Sequence, residues 1–228
     1  MSGKLYLVPT PIGNWEDFTV RALHTLKDVD VIVCEEAKEG RRVLREVDIV
    51  KPLEELNEHN AAEATDRILQ ILADGKDVAL ISDCGTPVFA DPGSELVCGA
   101  IRMNITVSAL PGPTSIMPAL VASGFPIDNF VSAGFLSPKK GIRQKELAAF
   151  KKETRTVVIM ETPYRLAPLV RDMRSVLGET REAVIALNLT MPDEEFIRGT
   201  IAEIDKTVSR RKIKGEFIVV VRGAGRIR

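Results

Sequence analysis

The order of apolar and polar positions predicts alternating strands and helices in the first half of the chain. Apolar runs at residues 5–8, 29–34 and 78–81 have the length and β-branched content of buried strands. Apolar residues recur at helical spacing over residues 20–29, between the first two runs. This β-α-β order favours a parallel sheet covered by helices.

The clearest helix signal begins at Asn60. Asn60 is the predicted N-cap, Glu63 lies where a capping box needs a carboxylate, and Gly75 suits the helix exit. A further helix is predicted at about residues 94–103, and a strand at about residues 105–110. Together these elements extend the α/β pattern up to the Pro-Gly-Pro segment at residues 111–113.

After that segment the spacing of the elements changes, which predicts a second domain with a mixed sheet. Strands are expected near residues 130–133, 156–160, 183–187, 195–198 and 216–221, and helices near residues 141–151 and 164–177. Thr200 and Glu203 form a second predicted capping box. The predicted fold is therefore a two-domain α/β protein, with domains at residues 1–113 and 114–228.

Composition narrows the function classes only a little. Lys and Arg number 31 against 32 Asp and Glu, and this near balance argues against a protein that holds nucleic acid by net charge alone. Cys34, Cys84 and Cys98 are too widely spaced for a zinc site or a disulfide framework, which favours reduced thiols in the cytoplasm. Neither a membrane span nor a signal peptide is recognised.

Three loops that follow predicted strands are the best candidates for chemistry. Residues 9–14, 82–92 and 111–114 are rich in glycine and proline, and ligands of open α/β sheets bind beyond the carboxyl ends of strands. Each loop alone is better explained as a plain turn. Together they predict a ligand pocket, although none has a dinucleotide, P-loop, nucleophile-elbow or metal-cluster pattern.

Several motifs in chain order carry a family resemblance. They read LYLVPTPIGN (residues 5–14), SDCGTP (82–87), DPG (91–93), PGPTS (111–115), GFL (134–136), KKG (139–141), ETPYR (161–165), RGT (198–200) and KGE (214–216). In this order they resemble the ribosomal RNA small-subunit 2′-O-ribose methyltransferase family of the tetrapyrrole (corrin/porphyrin) methylase superfamily. The likeness extends over essentially the whole chain.

The resemblance implies a homodimer of two-domain chains that bind S-adenosylmethionine in the cleft between the domains. The first domain would carry the acceptor side and part of the cofactor site, and the second domain the rest of that site and the dimer contact. The residues implied at the cofactor are Ile12, Asp83, Cys84, Gly85, Thr86, Phe89, Pro111, Gly112, Thr114, Ser115, Met160 and Leu189.

Two segments depart from the family pattern. The chain has Glu-Glu-Ala-Lys at residues 35–38 where the family usually has Glu-Asp-Thr-Arg. It has Leu-Asn-Leu-Thr-Met at residues 187–191 where the family usually has Glu-Leu-Thr-Lys. The cofactor motifs are better kept than these segments, so the prediction of the methyl donor is firmer than that of the acceptor.

A ribose hydroxyl is a weak nucleophile and needs a group that accepts its proton. The candidates are Glu36, which we prefer, together with Glu35 and His59, because they lie at or just beyond predicted strands. The alternatives are a solvated strand end for the two glutamates and a helix-entry role for His59. Asp83 is expected to organise its loop.

Basic clusters are candidates for contacts with RNA phosphates. The preferred cluster is Lys139, Lys140 and Arg143, where charge and resemblance coincide. The other basic residues are Arg41, Arg42 and Arg45, which lie on a further predicted helix, and the tail residues Arg222, Arg226 and Arg228. For each cluster the alternative is a solvated charged face, and Trp15 either stacks on a base or packs in the protein.

The predicted function is 2′-O-methylation of small-subunit ribosomal RNA in the cytoplasm, with S-adenosylmethionine as donor and no metal. A methylase of a tetrapyrrole or another small molecule is one alternative. A non-catalytic protein that binds RNA or a ligand is another.

Overall fold

The computed structural model describes residues 2–211 and 213–225. Arg226 and Arg228 of the basic tail lie outside these residues. The chain divides into two compact units, Met1–Thr114 and Ser115–Arg228. This division falls one residue after the boundary expected from the sequence.

The first unit is built on a parallel sheet. Its strands are β1 (Lys4–Val8), β2 (Val31–Cys34), β3 (Leu53–Glu55), β4 (Val78–Ile81) and β5 (Thr106–Ala109), and its helices are α1 (Val20–Asp28), α2 (Ala37–Glu46), α3 (Ala61–Ala73) and α4 (Ser94–Arg102). The strand order is β3-β2-β4-β1-β5, and every described pairing is parallel. The predicted parallel sheet is confirmed.

Alternate residues of the central strands serve two separate cores. Ile32 and Cys34 pack with residues of α1 and α2, whereas Val31 and Val33 pack with residues of α3 and α4. Because both faces of the sheet are covered, β2 and β4 need apolar side chains at every position. This explains the unbroken apolar runs in the sequence.

The second unit contains a mixed sheet. Its strands are β6 (Phe130–Phe135), β7 (Thr156–Glu161), β8 (Glu182–Leu187), β9 (Glu195–Thr200) and β10 (Phe217–Val221), and its helices are α5 (Ile116–Ser123), α6 (Lys140–Ala149), α7 (Leu166–Leu177) and α8 (Ile201–Arg210). The order is β6-β7-β10-β8-β9, with β6 parallel to β7 and the other pairs antiparallel. The predicted mixed sheet is confirmed.

The two predicted capping boxes have different outcomes. Thr200 and Glu203 form the reciprocal bonds of a capping box at the start of α8, as predicted. Asn60 is the N-cap residue of α3, as predicted, but the predicted capping box was wrong because its side chain makes no cap bond to the helix. Its Oδ1 accepts from Asn57 N–H at 2.8 Å and its Nδ2 donates to the Glu55 carbonyl at 3.1 Å, so the preceding loop uses both groups.

Strand β3 and helix α5 were not predicted from the sequence. Strand β3 has only three residues and includes two glutamates, so it lacks an apolar run. Helix α5 contains Pro118, which its first turn tolerates because the missing N–H has no partner within the helix there. In the part of the chain that the structure describes, no helix combines the length and apolar character needed to cross a bilayer.

Candidate functional site

The parallel arrangement of the first sheet brings five loops to one edge. The segments after β1, β2, β3, β4 and β5 all leave from the carboxyl ends of their strands. We call this edge, with residues 9–14, 35–36, 56–60, 82–93 and 110–114, the first-sheet edge. Three of the segments are the glycine- and proline-rich loops predicted to form a pocket.

Hydrogen bonds join these three loops into one structure. Thr10 N–H donates to the Gly85 carbonyl at 3.0 Å, and Gly85 N–H donates back to the Thr10 carbonyl at 2.9 Å. The buried Thr10 hydroxyl donates to the Ser82 carbonyl at 3.0 Å. The Thr86 hydroxyl donates to the Pro113 carbonyl at 3.1 Å. We call the segments after β1, β4 and β5 the linked loops.

Thr10 is a positioning residue that is not among the candidates predicted from the sequence. It is fully buried although it is polar, because its backbone and hydroxyl groups bind loop residues that lie more than 70 positions later. The available signal was a threonine between two prolines directly after a buried strand. Its partner could not be known from that signal.

Glycine allows the linked loops to approach closely. Gly85 has φ of +84°, and a Cβ built there would lie 3.3 Å from Ile12 Cγ2. A Cβ on Gly112 would lie 2.8 Å from Pro9 Cβ, which is closer than real Cβ contacts. Cys84 and Thr86 on either side of Gly85 are exposed. A ligand can therefore approach backbone groups here without meeting large side chains.

The loop after β4 continues into a strained turn. Val88 and Ala90 have φ of +70° and +65°, and Val88 is β-branched, which makes this conformation unfavourable. Such strain costs about 1–3 kcal/mol per residue and clusters at ligand sites. The turn presents Phe89, a predicted cofactor residue, at 47% exposure.

Carboxylates also gather at the first-sheet edge. Burial raises the pKa of Glu35, and repulsion from Asp83, Asp91, Glu36 and Glu58 raises it further. Burial raises the pKa of Asp83, with repulsion from Glu39, Glu36 and Asp91 added and attraction by Arg42 opposing. Burial likewise raises the pKa of Asp91, against a hydrogen bond from Ser82. The edge is therefore a region of negative potential.

Asp83 is held differently from the other acids. Its Oδ1 is buried and has no hydrogen-bond partner within the described residues. An orphaned carboxylate oxygen is stabilised when a cationic or hydrogen-bonding group approaches it. A positively charged ligand beside the linked loops fits this arrangement. No group of three or more His, Cys, Asp or Glu side chains in residues 2–211 and 213–225 is placed to hold a metal ion.

The three predicted catalytic residues lie at the same edge. Glu35 is half-buried at the end of β2, whereas Glu36 is exposed at the N-cap of α2 and makes no side-chain cap bond. His59 is exposed in the loop after β3. Ala37 N–H, at the start of α2, donates to Glu55 Oε1, at the end of β3, at 2.8 Å. This bond joins residues 35–38 to residues 55–60, and we call these two segments the acidic loops.

The remaining predicted cofactor residues have varied positions. Thr114 and Ser115 are half-buried, and Ser115 is the N-cap of α5 without a side-chain cap bond. Met160 is half-buried near the end of β7, where it pairs with Phe135 of β6. Leu189 is buried just after β8.

The preferred basic cluster is divided by the structure. Lys139 and Lys140 are exposed at the start of α6. Arg143 is only 4% exposed, and its guanidinium donates to Asp172 Oδ2 at 2.6 and 2.8 Å and to the Ser137 and Pro138 carbonyls. Arg143 is therefore a structural residue and does not reach an RNA phosphate, contrary to the expectation from sequence.

Among the other basic residues, Arg42 and Arg222 form ion pairs within the protein. Arg42 pairs with Glu39 at 2.7 Å and lies over the Trp15 ring at 5.5 Å, while Trp15 packs against the first-unit core. Arg41 and Arg45 are exposed on the same helix. Arg222 pairs with Glu182 at 2.6 Å. The packing alternative for Trp15 is confirmed.

Comparisons with known proteins identify the relatives of the chain. Residues 4–205 match the family model described as Tetrapyrrole (Corrin/Porphyrin) Methylases. The chain is 42% identical over 221 residues to Ribosomal RNA small subunit methyltransferase I of Thermotoga maritima. This match covers 97% of this chain and 99% of the relative. It is 41% identical over 222 residues to the protein of that name from Bacillus subtilis. That match covers 97% of this chain and 76% of the relative.

A solved structure shares the fold at low sequence identity. Uroporphyrin-III C-methyl transferase from Thermus thermophilus, complexed with S-adenyl homocysteine, is 19% identical with a TM-score of 0.66, covering 96% of this chain and 97% of that one. This likeness supports the two-domain α/β fold. The sequence matches confirm the family resemblance drawn from the motifs.

Proposed function

We propose that this chain, which belongs to the ribosomal RNA small subunit methyltransferase I family of the tetrapyrrole methylases, methylates a ribose 2′-hydroxyl in small-subunit ribosomal RNA. The proposed methyl donor is S-adenosylmethionine. The observation that carries the proposal is the joining of the linked loops, which hold the family's motifs, beside carboxylates with raised pKa values.

The linked loops are the proposed donor-binding surface of the first unit. Cys84, Gly85 and Thr86 offer backbone groups at a point kept open by glycine, and Phe89 offers an exposed ring. The donor supplies an activated methyl group on a positively charged sulfonium. The orphaned Oδ1 of Asp83 and the surrounding negative potential suit that charge.

Glu35 is the proposed proton acceptor, ahead of Glu36. A general base works best when its pKa approaches the working pH, and the pKa of Glu35 is raised by burial and by neighbouring carboxylates. Glu36 and His59 are exposed, so they are the secondary candidates. With a base in place, the remaining task of the protein is to align donor and hydroxyl for in-line transfer.

Lys139 and Lys140 are the proposed contacts for RNA phosphates. Both are exposed at the N-terminus of α6, where the helix dipole also favours anions. We further propose that the protein acts in the cytoplasm as a homodimer, paired through the second unit, where α5 exposes Met117 and Val121. Light scattering of wild type and Val121→Lys tests the dimer, since the charged variant would be monomeric.

Labelled S-adenosylmethionine with small ribosomal subunits is the decisive experiment. Methyl label in RNA that resists alkaline cleavage supports 2′-O transfer. Turnover on a tetrapyrrole without label in RNA would instead support the small-molecule alternative. Failure to bind the donor in calorimetry would contradict both enzyme hypotheses and leave a non-catalytic binding protein.

Thiol labelling tests the donor site independently of activity. Cys84 and Cys98 are exposed, whereas Cys34 is buried and its pKa is raised to about 12, mainly by burial. We expect a maleimide to modify Cys84 and Cys98 but not Cys34 in the native protein. S-adenosylmethionine should protect Cys84 and leave Cys98 reactive, and equal protection of both would contradict the assignment.

A further inference from the structure

Resting on the proposed function, we propose that Tyr164 stacks on a base of single-stranded substrate RNA. In this proposal it forms one recognition surface with Lys139 and Lys140. The proposal concerns how the RNA is held and is separate from the identity of the proton acceptor.

Tyr164 is exposed on a firmly held turn. Its exposure is 95%, and it is the middle residue of a 3₁₀ turn, Pro163–Arg165. Arg165 donates to Glu161 Oε1 at 2.7 Å and to Thr162 Oγ1 at 3.1 Å, and Thr162 N–H donates to the same Glu161 oxygen at 2.8 Å. The Glu161 side chain is fully buried, so these bonds anchor the turn to β7.

This arrangement leaves the tyrosine without a packing role. A ring on a rigid turn loses little conformational freedom when a base stacks on it, because few torsions remain to be fixed. Pro163 restricts the backbone of the turn further. The turn therefore presents an aromatic face to a ligand.

The topology of the second sheet brings the lysines to the same edge. Strands β6 and β7 are parallel neighbours, and Phe135 pairs with Met160 near their ends. The segment with Lys139 and Lys140 follows β6, and the segment with Tyr164 follows β7. Helices α6 and α7, which begin beside these segments, are joined by the buried Arg143–Asp172 pair.

The combination matches the chemistry of single-stranded RNA. The ring can stack on an unpaired base, and the two ammonium groups can pair with phosphates. Lys139 and Lys140 keep their charges available, while Arg143 holds the Ser137 and Pro138 carbonyls and so fixes the segment that leads to them. Carboxylates at the first-sheet edge repel phosphates, so the phosphate contacts need another surface.

Steady-state methylation of small ribosomal subunits by the full chain tests this proposal. We expect Tyr164→Ala to raise KM for subunits about 10-fold, the order expected for loss of one stacked base, with KM for S-adenosylmethionine unchanged. Tyr164→Phe should keep the wild-type KM because the ring remains. The double variant Lys139→Ala with Lys140→Ala should reduce the slope of log KM against log salt concentration by about 0.7 for each lost phosphate contact.

The matched control is Lys151→Ala with Lys152→Ala, which removes the same charge from exposed positions beyond the other end of α6. If the control changes KM for subunits as much as the Lys139 and Lys140 variant, the surface is misassigned. If wild type labels RNA and Tyr164→Ala has an unchanged KM for subunits, the stacking role is overturned but the proposed function is not. A change of oligomeric state in Tyr164→Ala would overturn it in favour of a protein contact. Absence of label in RNA with wild type would instead remove the proposed function, and this inference with it.

Discussion

The edge of the first sheet and the edge formed by β6 and β7 in the second differ in charge and in construction. The first gathers Glu35, Asp83 and Asp91, whose pKa values are raised by burial, with repulsion from neighbouring carboxylates adding to the rise for Glu35 and Asp83. The second presents Lys139, Lys140 and the exposed Tyr164 beside two helices that a buried ion pair joins. A formal charge of −1 for the chain conceals this separation.

The difference suggests two tasks that one surface performs poorly. Negative potential suits a cationic methyl donor and the removal of a proton, but it repels the phosphates of RNA. Exposed lysines suit phosphates but would disfavour a sulfonium. Variants that alter one edge should therefore change donor-related or RNA-related quantities, and the two sets can be measured separately.

The largest expected effect is on the chemical step. Glu35→Gln should lower kcat about 100-fold or more, as expected on losing a general base, while the Kd for S-adenosylmethionine stays within a few-fold. In wild type the rate should rise with pH and level off above the raised pKa of Glu35, because the base acts when ionised. The fall of the rate on the acid side should occur at a pH above the ordinary carboxyl pKa range. This fall should be absent in Glu35→Gln.

Glu36→Gln is the matched control for that measurement. It removes the same charge from the neighbouring, exposed position. A large loss in Glu36→Gln with little change in Glu35→Gln would reverse the assignment. Equal and small effects in both variants would leave Asp83 as the carboxylate to test.

Removing the buried Arg143 should make the second unit less stable. Arg143→Ala leaves Asp172 buried without its cation, so we expect the free energy of unfolding to fall by about 3–5 kcal/mol in urea titration. Arg143→Met with Asp172→Leu should recover much of this loss, since no buried charge remains. Lys140→Ala should stay within about 0.5 kcal/mol of wild type. A similar loss in Lys140→Ala would contradict the structural role assigned to Arg143.

A smaller effect is expected from two glycine substitutions, which together distinguish backbone strain from a direct effect on donor binding. Gly85 and Gly124 have φ of +84° and +76°, so alanine at either position should cost about 1–2 kcal/mol of stability. Only Gly85→Ala brings a Cβ within 3.3 Å of Ile12 in the linked loops, whereas a Cβ at Gly124 meets nothing within 4 Å. We therefore expect calorimetry to give a weaker donor Kd for Gly85→Ala alone. An equal weakening in Gly124→Ala would indicate that strain by itself is responsible.

The smallest expected effect concerns the charge on Asp83. Because its pKa is raised in the folded protein, the ionised form disfavours folding above that pKa, and the penalty disappears below the ordinary carboxyl pKa. Asp83→Asn should therefore be slightly more stable than wild type at neutral pH. Urea titrations should show the gain shrinking as pH falls. A variant that is less stable at neutral pH would contradict the sign.

The fold was more predictable than the site because its signals are local. Unbroken apolar runs such as β2 and β4 follow directly from a sheet covered on both faces. The linked loops depend on Thr10 and Gly85, which are 75 positions apart, and Arg143 depends on Asp172, 29 positions away. The missing cap bond of Asn60 also depends on residues outside the helix, because its side chain binds backbone groups of the preceding loop instead.

The two sets of joined segments at the first-sheet edge have an evolutionary consequence. The linked loops share bonds through Thr10, Gly85 and Thr86, so a change in one must be accommodated by the others. The acidic loops form their own set through Glu55 and the Ala37 N–H. The two sets can then diverge as separate modules, and the departure from the family pattern at residues 36–38 lies in the acidic loops.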